Sequence, residues 1–232
     1  MPVIDVQLET TPSQSIRARQ IAEMYDVPDE TTRNRRWQGE LPIDAEPWNV
    51  GLIVGPSGSG KTQIATHLFG PQPDLEWRAD SVLDDFTLTS DSDSPTATSE
   101  RIATVCSAVG FNTIPAWTRP YRTLSNGERF RVDLARRLLE LPDPIVVDEF
   151  TSVVDRQVAQ IGAHAVQKYI RKNGRKFIAL SCHYDIIDWL QPDWTFEPAT
   201  MTFARRSLQP RPKLEVRLQR TTTAAWSRAS GN

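Results

Sequence analysis

The stretch 55–62, GPSGSGKT, restricts the possible fold more than any other part of the sequence. It follows an apolar run at 48–54, WNVGLIV, that is typical of a buried strand, and a helical pattern continues from 63 to 69. The fixed positions of a phosphate-binding loop are filled by Gly55, Gly60, Lys61 and Thr62. The sequence therefore predicts a strand, a loop whose N–H groups surround phosphate oxygens, and a helix that begins beneath them.

This loop indicates a site for a nucleotide, ATP, together with Mg²⁺. We expect the Lys61 ammonium to reach the β- and γ-phosphates and the Thr62 hydroxyl to hold the metal ion. The other expected contacts come from the loop itself and from the first helical turn, namely Gly55, Pro56, Ser57, Gly58, Ser59, Gly60 and Gln63.

A second apolar run, IVVDEF at 145–150, ends in two acidic residues. Ligands of open α/β sheets bind outside the carboxyl ends of the strands, where this run would deliver Asp148 and Glu149. We expect Asp148 to support Mg²⁺ and Glu149 to polarise an attacking water molecule, which favours hydrolysis. The alternative is an acidic pair that merely ends a strand.

The alternation of predicted strands and helices favours an α/β fold with a parallel sheet covered on both faces. We expect three regions: an N-terminal helix and lead-in at 1–47, an ATP-binding domain at 48–200, and a basic tail at 201–232. The finer predictions are a helix over 13–25, a loop over 26–40, a mobile acidic loop over 72–98, helices over 99–109, 127–141, 158–170 and 184–190, and strands over 144–147 and 176–181.

The motif LSNGE at 124–128 resembles the LSGGQ signature of the ABC ATPase superfamily, and it precedes an arginine-rich helix as the signature does. The other motifs of that family follow in order. TSVVDR at 151–156 lies in the place of the D-loop, with Asp155 at its key position, and SCHYD at 181–185 puts His183 where the switch histidine belongs. The resemblance covers residues 50–185 and implies a P-loop NTPase fold with a small helical subdomain.

The resemblance also implies a head-to-tail homodimer, because ABC ATPases close the signature of one subunit over ATP bound by the other. Ser125 and the Gly127 N–H would then contact the γ-phosphate held by the partner subunit. Asp155 would cross the interface, and His183 would hold the γ-phosphate beside Glu149. The loop at 55–62 and the signature therefore have no need to meet within one chain.

The sequence departs from the family pattern in several ways. Asn126 and Glu128 replace glycine and glutamine of the signature, which places a carboxylate near an anion unless its side chain points away. No glutamine occurs between Gln72 and Gln157, so the Q-loop contact is either absent or supplied by another residue, with Asp84 or Asp85 as candidates. Trp37 is the candidate for stacking on adenine, with an ordinary buried tryptophan as the alternative.

Charge is distributed unevenly, although the net charge of the chain is only −2. Residues 204–232 contain seven arginine and lysine residues against Glu215 alone, which indicates either an anionic partner such as DNA or a solvated linker. The N-terminus shows no signal-peptide pattern and no apolar run suits a membrane span. Together with the isolated Cys106 and Cys182, this favours a cytoplasmic protein without membrane insertion.

Three roles are compatible with an ABC-type ATPase of this size. One is the nucleotide-binding subunit of a transporter whose membrane chains are separate. Another is a soluble ATPase that drives a partner acting on nucleic acid, in DNA modification or processing. The third is a compact ABC ATPase of the kind found fused to or encoded beside acetyltransferase-fold (GNAT) domains, some akin to DNA-modification enzymes. The wording of 126–140, 146–159 and 181–194 resembles that set and suggests such an enzyme as partner.

Overall fold

The computed structural model of the protein describes residues 2–10, 13, 15–26, 33–87 and 95–206. The chain begins with an antiparallel hairpin of β1, Val3–Thr10, and β2, Arg33–Glu40, which pair from Val3↔Glu40 to Thr10↔Arg33. Between them lies α1, Ile16–Met24, which Ser15 caps by accepting the Ala18 N–H. The helix predicted over 13–25 is therefore present.

The strand β2 corrects the prediction of a loop over 26–40 for residues 33–40, and residues 27–32 lie outside the described part. Its sequence, RNRRWQGE, is polar because one face of the hairpin is exposed, and the alternation is visible mainly at Trp37, which is buried. Its partner contributes Ile4 to the same core. Antiparallel sheets often expose one face to water, so an arginine-rich strand is physically ordinary once its partner strand is known.

The central sheet is five-stranded, and its parallel strands carry the predicted apolar runs. Its order is β4-β5-β3-β6-β7, in which the first four strands are parallel and β7 is antiparallel to β6. The strands are β3 (Val50–Val54), β4 (Ile145–Val147), β5 (Phe177–Ser181), β6 (Trp194–Glu197) and β7 (Thr202–Arg205). The sheet thus continues past residue 200, where the tail was predicted to begin.

Helices cover both faces of this sheet, as the alternation predicts. One core joins the sheet to the long helices on one face, and the other joins it to the hairpin and to the helix after the phosphate-binding loop. The helices are α2 (Lys61–Phe69), α3 (Pro95–Ala108), α4 (Ile114–Trp117), α5 (Asn126–Glu140), α6 (Arg156–Lys172) and α7 (Ile186–Leu190).

The segment after α2 is anchored where a mobile loop was predicted. Trp77 stacks on Tyr121 with ring centroids 4.7 Å apart, and its indole N–H donates to Asp133 at 2.7 Å. A short 3₁₀ helix at Val82–Asp85 follows, and Phe86 packs against Trp77. The prediction of a loop over 72–98 is wrong for Val82–Asp85 and for residues 95–98, which begin α3. The predicted mobility stays a prediction, and residues 88–94 lie outside the described part.

The basic tail is described as far as residue 206. The Arg205 guanidinium donates to the carbonyl oxygens of Pro42 and Ile43 and packs over Phe203, so this tail cation ties β7 to the segment after β2. The remaining tail cations, except Arg206, lie outside the described residues. Within the described ranges, no helix combines the length and the apolar character that crossing a membrane requires.

Candidate nucleotide-binding site

The loop between β3 and α2 has the backbone shape that its glycines allow. Gly58 and Gly60 adopt φ angles of +72° and +94°, in the left-handed region that favours glycine. The Lys61 ammonium donates to the loop carbonyls of Gly55 at 2.8 Å and Pro56 at 3.0 Å. The cation thus lies across the loop, and the N-terminus of α2 adds positive potential where phosphates would bind.

Trp37 packs directly against this loop. A Cβ at Gly60 would lie 2.3 Å from the Trp37 indole, so the indole occupies the space that a side chain would need. Arg35 places its guanidinium over the ring at 5.2 Å and also donates to the Gly58 carbonyl. Trp37 is only 4% exposed, so it is a buried tryptophan, although it also lines the cavity. Stacking of Trp37 on adenine stays a prediction.

The acidic pair follows β4 at the carboxyl edge of the sheet, beside the loop. The Thr62 hydroxyl donates to the Asp148 carboxylate at 2.6 Å, which joins α2 to the end of β4. The other Asp148 oxygen accepts the Glu149 N–H at 2.7 Å. Glu149 and Thr151 have φ angles of 49° and 69°, and strained backbone of this kind concentrates at functional sites.

A cavity of about 280 Å³ lies over the loop and brings the two motifs together. Its walls combine residues of the hairpin, the phosphate-binding loop and the carboxyl ends of two parallel strands. They are Leu8, Trp37, Ser57, Gly58, Gly60, Lys61, Thr62, Gln63, Asp148, Glu149, Ser152 and Cys182. The sequence predicts most of this wall, and the hairpin residue Leu8 is an addition.

The signature serine caps α5. Ser125 donates from both its N–H, at 2.9 Å, and its hydroxyl, at 2.8 Å, to the Glu128 carboxylate, and its Oγ accepts the Glu128 N–H. This reciprocal capping box explains why glutamate suits the position. The hydrogen bonds from Ser125 hold the pKa of Glu128 below its usual value. The Glu128 side chain therefore points towards Ser125. This settles the direction of the carboxylate, which the sequence left open.

The remaining motif residues lie outside the 280 Å³ cavity in the described structure. Ser125 and Gly127 stand at the start of α5, and Asp155 caps α6 by accepting the Val158 N–H at 2.9 Å. His183 follows β5, where its N–H donates to the Ser181 hydroxyl at 3.1 Å, and its neighbour Cys182 lines the cavity. One chain thus brings together the loop, Asp148 and Glu149, but not the signature.

Comparison with known structures identifies this arrangement. No protein-family model and no curated protein matches the sequence. The dimeric post-hydrolysis state of the ATP-binding cassette MJ0796, bound to ADP and phosphate, matches with a TM-score of 0.59 at 14% identity, over 78% of this chain and 94% of that chain. This chain has the fold of an ATP-binding cassette.

Two further cassettes give the same result. The dimeric structure of MJ0796 as a bacterial ABC transporter cassette matches with a TM-score of 0.57 at 14% identity, over 75% of this chain and 91% of that chain. The structure of cbiO1 from Clostridium perfringens, part of the ABC transporter complex cbiONQ, matches with a TM-score of 0.55 at 16% identity, over 75% and 82%. The predicted P-loop fold of the ABC type is confirmed.

The strand β4 is an edge strand of the central sheet in the described part of the chain. Gln72 lies along this edge, where its side-chain oxygen accepts the Val146 N–H at 3.5 Å. A second cavity of about 330 Å³ opens there, and Gln72, Thr62, Asp148 and Arg137 are among the residues that line it. Gln72 and Arg137 are therefore site residues that the sequence analysis missed.

The acidic candidates for the Q-loop contact are engaged elsewhere. Asp84 and Asp85 belong to the 3₁₀ helix, and the Asp85 carboxylate accepts the N–H groups of Arg78 and Ala79 at 2.9 and 3.1 Å. It thereby closes its own turn. Gln72 follows Gly70, which ends α2, and this glycine stop was the sequence signal that the chain turns back towards the site so early.

Proposed function

We propose that this chain is an ATPase that dimerises around Mg²⁺-ATP and uses hydrolysis to drive a partner protein. The observation that carries the proposal is the pair of oxygen ligands, Thr62 and Asp148, joined across the phosphate-binding loop with Glu149 beside them. This pairing needs two separate chain segments to converge, the loop with the start of α2 and the end of β4. It supplies a phosphate cradle, a metal-binding pair and a base in one cavity.

The chemistry assigned to these residues is direct attack of water on the γ-phosphorus. Lys61 and the loop hold the phosphates, and the Glu149 carboxylate accepts a proton from the attacking water. As the water oxygen bonds to phosphorus, the bond from phosphorus to the bridging oxygen breaks and its electron pair leaves with ADP. The carboxylate then releases its proton to solvent or product.

The residues present fit Mg²⁺. A threonine hydroxyl and a carboxylate at 2.6 Å form an oxygen-only donor set, and Mg²⁺ in phosphate sites is bound by one or two protein oxygens together with substrate phosphates. Among the described residues, no cluster of three or more histidine, cysteine or acidic side chains offers a complete protein cage for a metal. When bound, Mg²⁺ would neutralise charge on the β- and γ-phosphates.

The second subunit enters because the signature and the loop are separate within one chain. In the proposed head-to-tail homodimer, Ser125 and Gly127 contact the γ-phosphate in the partner subunit, and Asp155 crosses the interface. His183 contacts the γ-phosphate in its own subunit. Support comes from the matching cassettes, two of which are dimeric structures.

We propose that the driven partner acts on nucleic acid, in DNA modification or processing. The support is the basic tail of the sequence, whose arginine and lysine residues suit phosphate contacts, and the resemblance to ATPases that accompany GNAT-fold enzymes. The alternative is the nucleotide-binding subunit of a transporter. The favouring observation is that the matching cassettes include transporter components, such as cbiO1.

The test is steady-state ATP hydrolysis by the full chain, with Lys61→Ala as the inactive control and duplex DNA added at about 150 mM salt, because phosphate contacts are salt-dependent. Hydrolysis that DNA stimulates supports the nucleic-acid role. A rate that is unaffected by DNA contradicts that role and favours a protein partner or a transporter. Equal rates for the chain and for Lys61→Ala would overturn the ATPase assignment itself.

A further inference from the structure

Arg137 stands where the cavities around the acidic pair meet. The third cavity, of about 360 Å³, is lined by Arg137 together with Asp148 and Glu149, and the 330 Å³ cavity is lined by Arg137 together with Asp148 and Thr62. Asp148 also lines the 280 Å³ cavity over the phosphate-binding loop. Arg137 and Asp148 therefore form a shared partition next to the phosphate site.

Helical periodicity explains why Arg137 points there. Phe130 and Leu134 face the core from the same side of α5, and Arg137 follows them at the spacing of one helix stripe. The stripe also lines the third cavity through Phe130, Leu134 and Arg137. The spacing thus places Arg137 on the same helix face as Phe130 and Leu134. This face lines the third cavity together with the acidic pair.

The adjacent Arg136 shows what a structural arginine looks like in this helix. It is buried, pairs with Glu140 at 3.0 Å, donates to the Glu76 carbonyl at 2.6 Å and lies over the Trp77 ring at 4.7 Å. By contrast, no described residue forms a hydrogen bond or salt bridge with the Arg137 guanidinium. Arg137 is partly exposed, and a guanidinium without a partner among the described residues is available to an anion that enters the cavities it lines.

The electrostatic neighbours of Arg137 within the helix are weak competitors. Burial raises the pKa of Asp133, and the charge of Arg137 is among the influences that oppose this shift. The Asp133 carboxylate already accepts hydrogen bonds from Trp77 and from Tyr121, at 2.7 and 2.6 Å. A carboxylate has room for further donors, but no hydrogen bond or salt bridge joins Asp133 to Arg137 in the described structure.

We infer that Arg137 is a catalytic residue that contacts the γ-phosphate of ATP bound in its own subunit, from the open edge of β4. A guanidinium presents paired donors that match phosphate oxygens and would stabilise the charge of the transferring phosphoryl group. The inference rests on the proposed ATPase function and adds a residue to it. It gives the Arg137 guanidinium a ligand and supplies positive charge beside the edge strand β4.

The experiment compares ATP with ADP, because only ATP has the γ-phosphate. Mg²⁺-ATP and Mg²⁺-ADP affinities, hydrolysis rates and melting temperatures are measured for the full chain and for Arg137→Gln, Arg137→Lys, Asp133→Asn and Lys168→Gln. We expect Arg137→Gln to weaken ATP binding about tenfold, to leave ADP binding within about twofold, and to slow hydrolysis about 100-fold. Arg137→Lys should retain an intermediate rate, since it keeps the charge without the fork.

The controls separate the alternatives. Lys168 is an exposed cation on α6, and its replacement should change nothing. If Asp133→Asn reproduces the loss seen with Arg137→Gln, or if ATP and ADP binding weaken equally, Arg137 acts through packing and the inference is overturned. An unchanged Arg137→Gln variant beside an active wild type overturns this inference alone. A wild type that binds no ATP overturns the proposed function and this inference together.

Discussion

Polar groups form ion-pair networks at the amino ends of the parallel strands, whereas several at the carboxyl ends have no partner among the described residues. At the amino ends, Asp193 accepts the N–H groups of Asn49 and Val50 at 2.8 and 2.9 Å and pairs with Arg171 at 2.8 Å. Every one of these contacts joins segments that are remote in sequence. The start of β3 is thereby fixed to the start of β6 and to the end of α6.

A second network completes the amino end. Arg175 pairs with Asp143 at 2.8 Å and donates to the carbonyl oxygens of Leu138 and Leu141, both at 2.7 Å, at the end of α5. The Asn49 amide in turn donates to the Arg175 carbonyl at 2.9 Å. Arg175, Asp143 and Asn49 thus satisfy one another, as stability requires of partly buried polar groups. The Trp194 indole N–H, at the start of β6, is the exception at this end, because it is buried without a partner among the described residues.

The carboxyl end lacks this closure. The Lys61 ammonium donates to carbonyls of its own loop, and the Ser59 and Thr151 hydroxyls are buried without a partner among the described residues. The backbone at Glu149 and Thr151 has positive φ angles. Strained backbone and buried hydroxyls without partners at the carboxyl end, against the ion-pair networks at the amino end, indicate that the fold is held from the amino end and binds from the carboxyl end.

The largest expected effect breaks the carboxyl end alone. Glu149→Gln removes the base and keeps the shape, so hydrolysis should fall at least ~100-fold, while ATP affinity and melting temperature stay close to those of the wild type. Single-turnover hydrolysis and nucleotide titration measure the two quantities. Near-wild-type turnover would show that Glu149 is not the base.

The intermediate effect breaks the amino end alone. Asp193→Asn leaves donors without their carboxylate and should lower the free energy of unfolding by about 1–3 kcal/mol, measured by denaturant titration. ATP affinity should not change. Asp188→Asn, an exposed aspartate on α7, is the matched control and should have no effect on stability. If Asp193→Asn loses ATP binding without losing stability, the two ends do not have the separate roles described above.

The same aspartate gives this comparison a pH dependence. Burial alone would raise the pKa of Asp193. The N–H groups of Val50 and Asn49 and the Arg171 guanidinium outweigh burial and hold this pKa below its usual value. Its contribution is therefore fully present above the unfolded pKa of about 4 and is lost as pH falls through the lower folded pKa. The stability difference between wild type and Asp193→Asn should shrink on acidification below about pH 4.

The smallest expected effect sharpens the comparison at the signature. Glu128→Gln keeps a side chain that can accept from Ser125 but removes a negative charge from the surface proposed to meet the γ-phosphate. We expect ATP-driven dimerisation to strengthen about fivefold, as for a screened like-charge contact of about 1 kcal/mol. Weaker dimerisation would show that the carboxylate itself supports closure, for example through Arg119 at 3.5 Å.

The sequence predicts the residues at the carboxyl end of the sheet better than it predicts the rest of the site. Asp148 was predictable because it directly follows the buried strand β4, and Lys61 and Thr62 because the glycine-rich loop after β3 fixes them at the start of α2. The hairpin strand β2 was missed because its exposed polar face hides the alternation. Arg137 was missed because its charge favours the solvent-facing side of α5, whereas the structure leaves it partly buried.

The second edge of the site could not be predicted for a related reason. Gln72 can hydrogen-bond to β4 because β4 is an edge strand. The sequence does not reveal which strand lies at the edge of the sheet. The amino-end network was equally invisible, since Asn49, Arg175 and Asp193 are far apart in sequence. The direction of Glu128 is the opposite case, because the capping box at Ser125 is local.

The central claim is that ATP joins two copies of this chain through the phosphate-binding loop and the signature. The most direct measurement is the molecular mass of Glu149→Gln in solution, by sedimentation or light scattering, with Mg²⁺-ATP, with Mg²⁺-ADP and without nucleotide. The account predicts a dimer with ATP alone, and its loss when Ser125→Arg is added. A chain that binds ATP and remains a monomer, or a dimer that ignores Ser125→Arg, would contradict it.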